Sequence, residues 1–248
     1  MNFIREKIDP NTLKLITKVL HVIGAVQFSF SVVYDFSYVV VPKDEFPLMS
    51  AFSGKFKFLT FWNAIVLSVY FIICCIIDLF VKTNKDDDPS LIVRIKDYML
   101  PALAFPIAMF VGITFWGLYA IDRNLVLPVA LDKYFPTWLN HIMHTNIMIF
   151  VILELILTYR KYPLRRDGLF GLMLYQIIYI VWMHIVYLQS GMWVYNVFNV
   201  LNLPQRIAFL MFSIGLGCVF YFVGEKLNYM VWEKNKDSTE AKDPEVGS

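Results

Sequence analysis

The apolar segment at residues 57–81, KFLTFWNAIVLSVYFIICCIIDLFV, decides the class of fold. Its charged residues lie only near its two ends, and it is longer than the about 20 residues that a helix needs to cross a hydrocarbon core of ~30 Å. The whole chain has the same character, because 58% of its 248 residues are hydrophobic and only 17% are charged. This composition excludes an ordinary soluble domain and predicts an integral membrane protein.

Five further stretches are long and apolar enough to cross a membrane. Together with the first they predict six helices, at residues 17–40, 57–81, 99–120, 138–159, 172–195 and 207–232. No linker separates these spans, so we predict an all-α membrane protein with a single six-helix domain at residues 1–233. The polar residues 234–248 predict a disordered cytoplasmic tail.

The basic residues of the loops predict the orientation of the spans. Lys and Arg concentrate before the first span, between the second and third, between the fourth and fifth, and after the sixth. Segments rich in these residues stay on the cytoplasmic side, so both termini are predicted to be cytoplasmic. The second and fourth spans then run parallel to each other from the outer or lumenal side. Whether the membrane is the plasma membrane or that of the endoplasmic reticulum is left open.

Two polar residues lie near the starts of these parallel spans: Thr60 in FKFLTFWNA (56–64) and His144 in FPTWLNHIMHTN (135–146). A helical rise of ~1.5 Å per residue places them ~6 and ~9 Å below the same surface, so a hydrogen bond between them is possible. A hydroxyl whose proton a histidine removes is a nucleophile for acyl transfer. The pair therefore predicts a catalytic threonine with a histidine base.

Such a reaction needs further groups near the pair. Asn140 and Asn63 are candidates for stabilising the oxyanion or orienting the histidine, because each lies near the start of its helix. A carboxylate that orients the imidazole is left open among Asp35, Asp44, Glu45, Asp122 and Asp132. Glu154 is less suitable, because ten residues of helix separate it from His144 by ~15 Å.

Three cations at the predicted outer rim, Lys55, Lys57 and Arg123, are candidates for binding the free carboxylate of an acidic lipid. A lipid substrate from the bilayer is the expected partner, with no nucleic acid and no cofactor, and the oligomeric state is left open. His141 shares a helix face with His144, but without a third ligand at helical spacing we expect no metal. Trp193 and Tyr195 are interpreted as part of an interfacial aromatic belt.

Six segments, taken in order, resemble the androgen-induced protein family, which includes the androgen-dependent TFPI-regulating protein. They are FKFLTFWN, DYMLPALAFP, IDRNLVLP, FPTWLNHIMHT, GMWVY and GEKLN, and the similarity runs from about residue 15 to 233. The resemblance implies a six-span hydrolase of fatty acid esters of hydroxy fatty acids (FAHFA), with Thr60 as the nucleophile and His144 as the catalytic histidine. The loop at 37–57 does not match the family, so the preferred acyl chain and branch position are left open.

Two other functions compete with this reading. The same pocket would suit a lipid-binding or regulatory membrane protein without catalysis, since one fold hosts several functions. A small-solute transporter is a weaker alternative, because the sequence has neither paired broken helices nor a series of carboxylates in mid-span.

Overall fold

The computed structural model describes residues 9–81 and 88–232, and six of its helices are long and apolar enough to cross a membrane. We label them α1 to α6 in chain order: Pro10–Tyr38, Leu59–Phe80, Leu91–Ile121, Thr137–Leu157, Arg165–Ser190 and Leu203–Trp232. The prediction of an all-α protein with six potential membrane spans is confirmed. The orientation of the termini stays a prediction, and the tail at 234–248 lies outside the described residues.

Capping residues move several helix ends away from the predicted ones. The carboxylate of Asp9 accepts hydrogen bonds of 3.0 and 3.1 Å from N–H groups of the first turn of α1, and Pro10 follows as the first helical residue. Both features start a helix, so α1 begins seven residues earlier than its apolar run. At the end of α5, Gly191 adopts a left-handed conformation with φ of 70°, which terminates the helix.

Helix α3 lies at the centre of the bundle. About two thirds of its most apolar window, 67%, is buried inside the protein, against 28–44% for the other five helices. Its residues Phe105, Ile107 and Val111 share one core with side chains of α1, α2, α4, α5 and α6. This burial leaves the outward faces of the other helices apolar and exposed, as expected for surfaces that face lipid.

Two π-helical segments interrupt the spans, Leu100–Ala104 in α3 and Ile142–Asn146 in α4. Such wide turns re-aim nearby side chains and are frequent at functional sites. The second segment carries His144 and packs closely against α3. A Cβ atom built on Gly112 would lie 2.7 Å from the His144 carbonyl oxygen, so only glycine allows the two helices to approach this closely.

The bundle has two chemically different ends. We call the end at which α2 and α4 begin the Thr60 end. The opposite end, where α2 and α4 finish, we call the Arg160 end. Arg160 is fully buried there, although it follows the last residue of α4 by three positions.

Candidate active site

The structure brings Thr60 and His144 together at the Thr60 end. Thr60 is the second residue of α2, and its Oγ1 lies 3.3 Å from Nε2 of His144. The other ring nitrogen, Nδ1, lies 3.0 Å from the main-chain oxygen of Asn140. Because a carbonyl oxygen only accepts hydrogen bonds, Nδ1 carries the proton and Nε2 has a lone pair for the threonine hydroxyl.

Packing holds the imidazole in this orientation. His144 is buried, and its ring stacks on Phe115 of α3 with 3.6 Å between the ring centroids and 17° between the planes. The π-helical segment and the close approach at Gly112 place the backbone beneath it. The imidazole is therefore fixed in its orientation toward the Thr60 hydroxyl.

Thr60 and His144 open onto an apolar cavity of ≈ 180 Å³. This volume is roughly ten times the space that one water molecule needs, so it admits part of a hydrocarbon chain. Deep, mostly apolar pockets with a few convergent polar groups are the usual form of a small-molecule site. Its apolar wall includes Val111, Phe115, Leu118, Met143, Met183 and Phe209.

Neither asparagine side chain lines this cavity. Asn63 is fully buried, and among the described residues its amide nitrogen and oxygen have no hydrogen-bond partner. The side-chain oxygen of Asn140 is likewise unpaired among the described residues. Asn140 instead orients the histidine through its main-chain carbonyl, a role that any residue type could fill and that its identity does not signal.

The three candidate cations have different positions. Lys55 lines the cavity and donates a hydrogen bond of 2.9 Å to the buried carboxylate of Asp35, which lines it as well. Lys57 is buried beside the cavity wall and donates to a loop carbonyl at 3.3 Å. Arg123 pairs with Asp132 at 2.5 Å on the surface. Of the three, only Lys55 is placed to meet a ligand in the cavity.

None of the carboxylates considered from the sequence orients the histidine. Asp35 and Asp132 pair with the cations just named, Glu45 pairs with Lys133, and Asp122 accepts from the Asn124 N–H. In the described part of the chain, no hydrogen bond joins a carboxylate to His144. The group that orients the His144 ring is a main-chain carbonyl, that of Asn140.

Two tyrosines that the sequence did not single out as site residues also line the cavity. The hydroxyls of Tyr179 and Tyr195 lie 3.0 and 2.9 Å from the N–H of Leu59, the residue before Thr60. Of the two aromatic residues interpreted as interfacial, Tyr195 lines the cavity and Trp193 is buried.

His141 and His21 have hydrogen-bond partners other than His144. His141 bonds to Thr145 at 3.1 Å and stacks on Trp116. At the Arg160 end, ligand atoms of His21, Cys74 and Glu154 lie within 4.8 Å of one another. Both nitrogens of His21 are already bonded there to carboxylates, which describes an ion-pair network.

The sequence model of the FAR-17a/AIG1-like protein family matches residues 16–229 of the chain. The chain belongs to this family. The resemblance predicted from the six segments is thereby confirmed. No solved structure matches the chain significantly.

Curated members of the family are similar over most of their length. The chain is 34% identical to androgen-induced gene 1 protein of Homo sapiens over 206 residues, which covers 80% of this chain and 87% of the relative. It is 38% identical to androgen-dependent TFPI-regulating protein of Mesocricetus auratus over 179 residues, 72% of this chain and 78% of the relative. The human protein of the same name is 34% identical over 191 residues, 77% and 83% of the two chains.

Proposed function

We propose that this FAR-17a/AIG1-like protein is a membrane-embedded hydrolase of fatty acid esters of hydroxy fatty acids. The observation that carries the proposal is the hydrogen bond of 3.3 Å between Thr60 and His144 at the wall of an apolar cavity. A hydroxyl, a base in the accepting tautomer and a group that orients the base form the set used by hydroxyl-nucleophile acyl transferases. The ester class comes from the family resemblance described above.

In the first step, His144 Nε2 takes the proton of the Thr60 hydroxyl while Oγ1 attacks the acyl carbon. A new C–O bond forms to Oγ1, and the carbonyl electron pair moves onto the oxygen as an oxyanion. When the tetrahedral intermediate collapses, the bond to the hydroxy fatty acid breaks. The departing oxygen receives the proton from His144, and the acyl group remains on Thr60.

In the second step, a water molecule takes the place of the departed hydroxy acid. His144 removes a proton from this water, which attacks the acyl carbon and releases the fatty acid. Thr60 then regains the proton from His144. The negative charge of both intermediates forms at the N-terminus of α2, where the helix dipole favours an anion.

The cavity wall suits a lipid ester entering from the bilayer. Its apolar residues accept an acyl chain, and Lys55 provides a cation on the same wall. The free carboxylate of the substrate would compete with Asp35 for Lys55, because both are anions that seek the same ammonium group.

The experiment compares purified wild type, Thr60→Ala and His144→Ala for release of free hydroxy fatty acid from a FAHFA in micelles. We expect hydrolysis by wild type and a loss of roughly 10²–10⁴-fold or more in each variant, as is usual for removal of a general base or nucleophile. Unchanged melting temperatures would exclude unfolding as the cause. Hydrolysis that survives Thr60→Ala would overturn the assignment of the nucleophile.

A lipid-binding protein without catalysis is distinguished by covalent labelling. A fluorophosphonate reacts only with an activated nucleophile, so we expect a stable adduct whose mass maps to Thr60 and which His144→Ala does not form. Binding of lipid without adduct and without hydrolysis would favour the non-catalytic function.

A further inference from the structure

The proposed reaction needs a hydrogen-bond donor for the oxyanion, and the asparagines predicted for this purpose do not reach the cavity. Two hydroxyls of residues that line the cavity, those of Tyr179 and Tyr195, bond next to Thr60. Both oxygens accept from the Leu59 N–H, one peptide unit before the nucleophile. An ester carbonyl attacked by Thr60 Oγ1 therefore comes close to this pair of hydroxyls.

The two tyrosines differ in the hydrogen-bond acceptors available to their hydroxyl protons. The Tyr179 hydroxyl lies 3.0 Å from the Lys57 carbonyl oxygen and 3.0 Å from the Tyr195 oxygen, and it shares its one proton between them in a bifurcated hydrogen bond. The Tyr195 oxygen accepts from the Tyr179 hydroxyl and from the Leu59 N–H, and its own proton has no acceptor among the described residues. That proton is free to turn toward a ligand in the cavity.

The segment that carries Tyr195 is held rigidly. After the turn at Gly191, Trp193 stacks on Tyr187 with 4.1 Å between the ring centroids and on Phe198 at 5.2 Å. The guanidinium of Arg206 lies over the Trp193 ring at 5.1 Å. A donor fixed in advance is effective, because it needs no reorganisation when charge develops.

Burial also keeps the Tyr195 hydroxyl in its donating form. It raises the pKa of Tyr195 above its ordinary value, so the proton is present throughout the physiological pH range. A neutral donor in an apolar pocket strengthens toward an oxyanion more than toward an ester carbonyl, which is the differential interaction that accelerates a reaction.

We infer that Tyr195 is a catalytic residue that donates a hydrogen bond to the oxyanion on the acyl carbon, and that Tyr179 is a positioning residue that holds the Tyr195 oxygen. The inference rests on the proposed hydrolase function. It adds a donor from the α5–α6 loop to the threonine of α2 and the histidine of α4. Three separate parts of the chain then meet at one reacting carbon.

The test measures kcat and KM for FAHFA hydrolysis by Tyr195→Phe. Loss of one oxyanion donor lowers kcat by about 10²–10³-fold in well-studied cases, and we expect a loss in this range with KM changed less than about threefold. Tyr187→Phe is the matched control, because it removes a hydroxyl from a ring that stacks on the same loop outside the cavity. Tyr195→Phe with the kcat of wild type, or an equal loss in Tyr187→Phe, would overturn the inference.

A second variant covers the case in which Tyr195→Phe does not fold. O-methyltyrosine at position 195 keeps the oxygen that accepts from Leu59 but has no proton to donate, so it should retain the melting temperature and lose kcat. Full activity of that variant would refute the role of the proton.

The rate of fluorophosphonate labelling separates this inference from the proposed function. Labelling of Thr60 without any FAHFA hydrolysis would end the ester assignment only. The phosphoryl oxygen still requires a donor in that case, so Tyr195→Phe should slow labelling by at least about tenfold. If Tyr195→Phe were labelled at the wild-type rate, the role of Tyr195 as a donor would be refuted, even if the wild type hydrolyses FAHFA.

Discussion

Two buried histidines at opposite ends of the bundle have contrasting surroundings. His144, at the Thr60 end, bonds through one nitrogen to a main-chain carbonyl and through the other to a threonine hydroxyl. It has no charged partner among the described residues and lies against a cavity. His21, at the Arg160 end, lies 2.6 Å from a carboxylate oxygen of Asp78 and 3.0 Å from one of Glu154.

The network around His21 satisfies nearly all its members. The second carboxylate oxygen of Glu154 accepts from Tyr70 at 2.8 Å, from Thr158 at 2.7 Å and from Arg160 at 2.9 Å. Charges inside a membrane protein are tolerated when they are paired in this way. The two histidines therefore differ in their surroundings: His21 lies within a packed ion-pair network, whereas His144 lies beside open space.

The largest effect that tests this contrast is expected from Glu154→Gln. The substitution leaves Arg160 and His21 without their common anion, and removal of one partner from a buried ion pair costs about 3–5 kcal/mol of unfolding free energy. Thermal and denaturant unfolding in detergent would measure the loss. The fraction that stays folded should keep the wild-type kcat, because the network lies apart from the cavity.

Asp167→Asn provides the control for Glu154→Gln. It breaks the exposed pair of Arg166 and Asp167, 3.1 Å apart, which should contribute less than about 1 kcal/mol. A Glu154→Gln protein that unfolds like wild type but has lost turnover would break the comparison, since the network would then serve the reaction.

A smaller effect is expected where α3 touches the backbone of His144. Gly112→Ala would place a methyl group 2.7 Å from the His144 carbonyl oxygen and even closer to the side chain of Met148. Overpacking of this kind costs roughly 1–3 kcal/mol, and here it would also shift the base away from Thr60. We expect kcat to fall about tenfold or more, together with a lower melting temperature.

Gly117→Ala is the matched control on the same helix, because its Cβ would meet nothing within 4 Å. It should leave both kcat and melting temperature unchanged. Equal effects of the two substitutions would show that α3 tolerates or rejects side chains regardless of the contact with α4.

These particular residues show how far the sequence could predict the structure. The proximity of Thr60 and His144 was predictable because the second and fourth spans enter the membrane from the same side. Two parallel helices that start at one surface place residues of similar depth side by side. The helix ends were less accurate: α3 begins at Leu91 rather than 99, since its first turns carry Arg94 and Lys96 and do not read as apolar. Hydropathy detects the apolar part of a helix, not the whole helix.

The groups that surround Thr60 and His144 could not be predicted from the sequence, for a different reason. The group that orients His144 is a backbone oxygen, whose placement depends on a π-helical turn packed against Gly112. Tyr195 carries no local sign of its position, because an aromatic residue near a span end is ordinarily interfacial. Both features arise from contacts between distant helices.

The role of Lys55 is sharpened by comparing an acidic lipid with its methyl ester. Hydrogen bonds to charged groups contribute about 1.5–3 kcal/mol, so Lys55→Met should raise KM for the free acid by roughly tenfold or more relative to the methyl ester. The ratio of the two substrates cancels any general loss of stability caused by leaving Asp35 unpaired. Arg123→Met is the control, since Arg123 lies outside the cavity. An unchanged ratio in Lys55→Met would remove Lys55 from substrate recognition.

The smallest expected effect concerns pH and Lys57, which lies just before α2. Burial, with Lys55 as a nearby like charge, lowers the pKa of Lys57 to about 8. The unfolded chain has the ordinary value of about 10.4, so between these limits the unfolded state binds more protons than the folded state. Stability should therefore rise with pH in this window, by at most about 1.4 kcal/mol per unit.

Unfolding of wild type and Lys57→Met between pH 7.5 and 10 isolates this contribution, because every other titrating group cancels in the difference. The variant should lack the rising component that wild type shows above pH 8. If the two curves stay parallel, Lys57 remains protonated in the folded protein and the positive charge beside Thr60 is larger than the structure implies. That result would weaken the contrast with the Arg160 end, because a buried charge would be added to the Lys55–Asp35 pair that already lines the cavity.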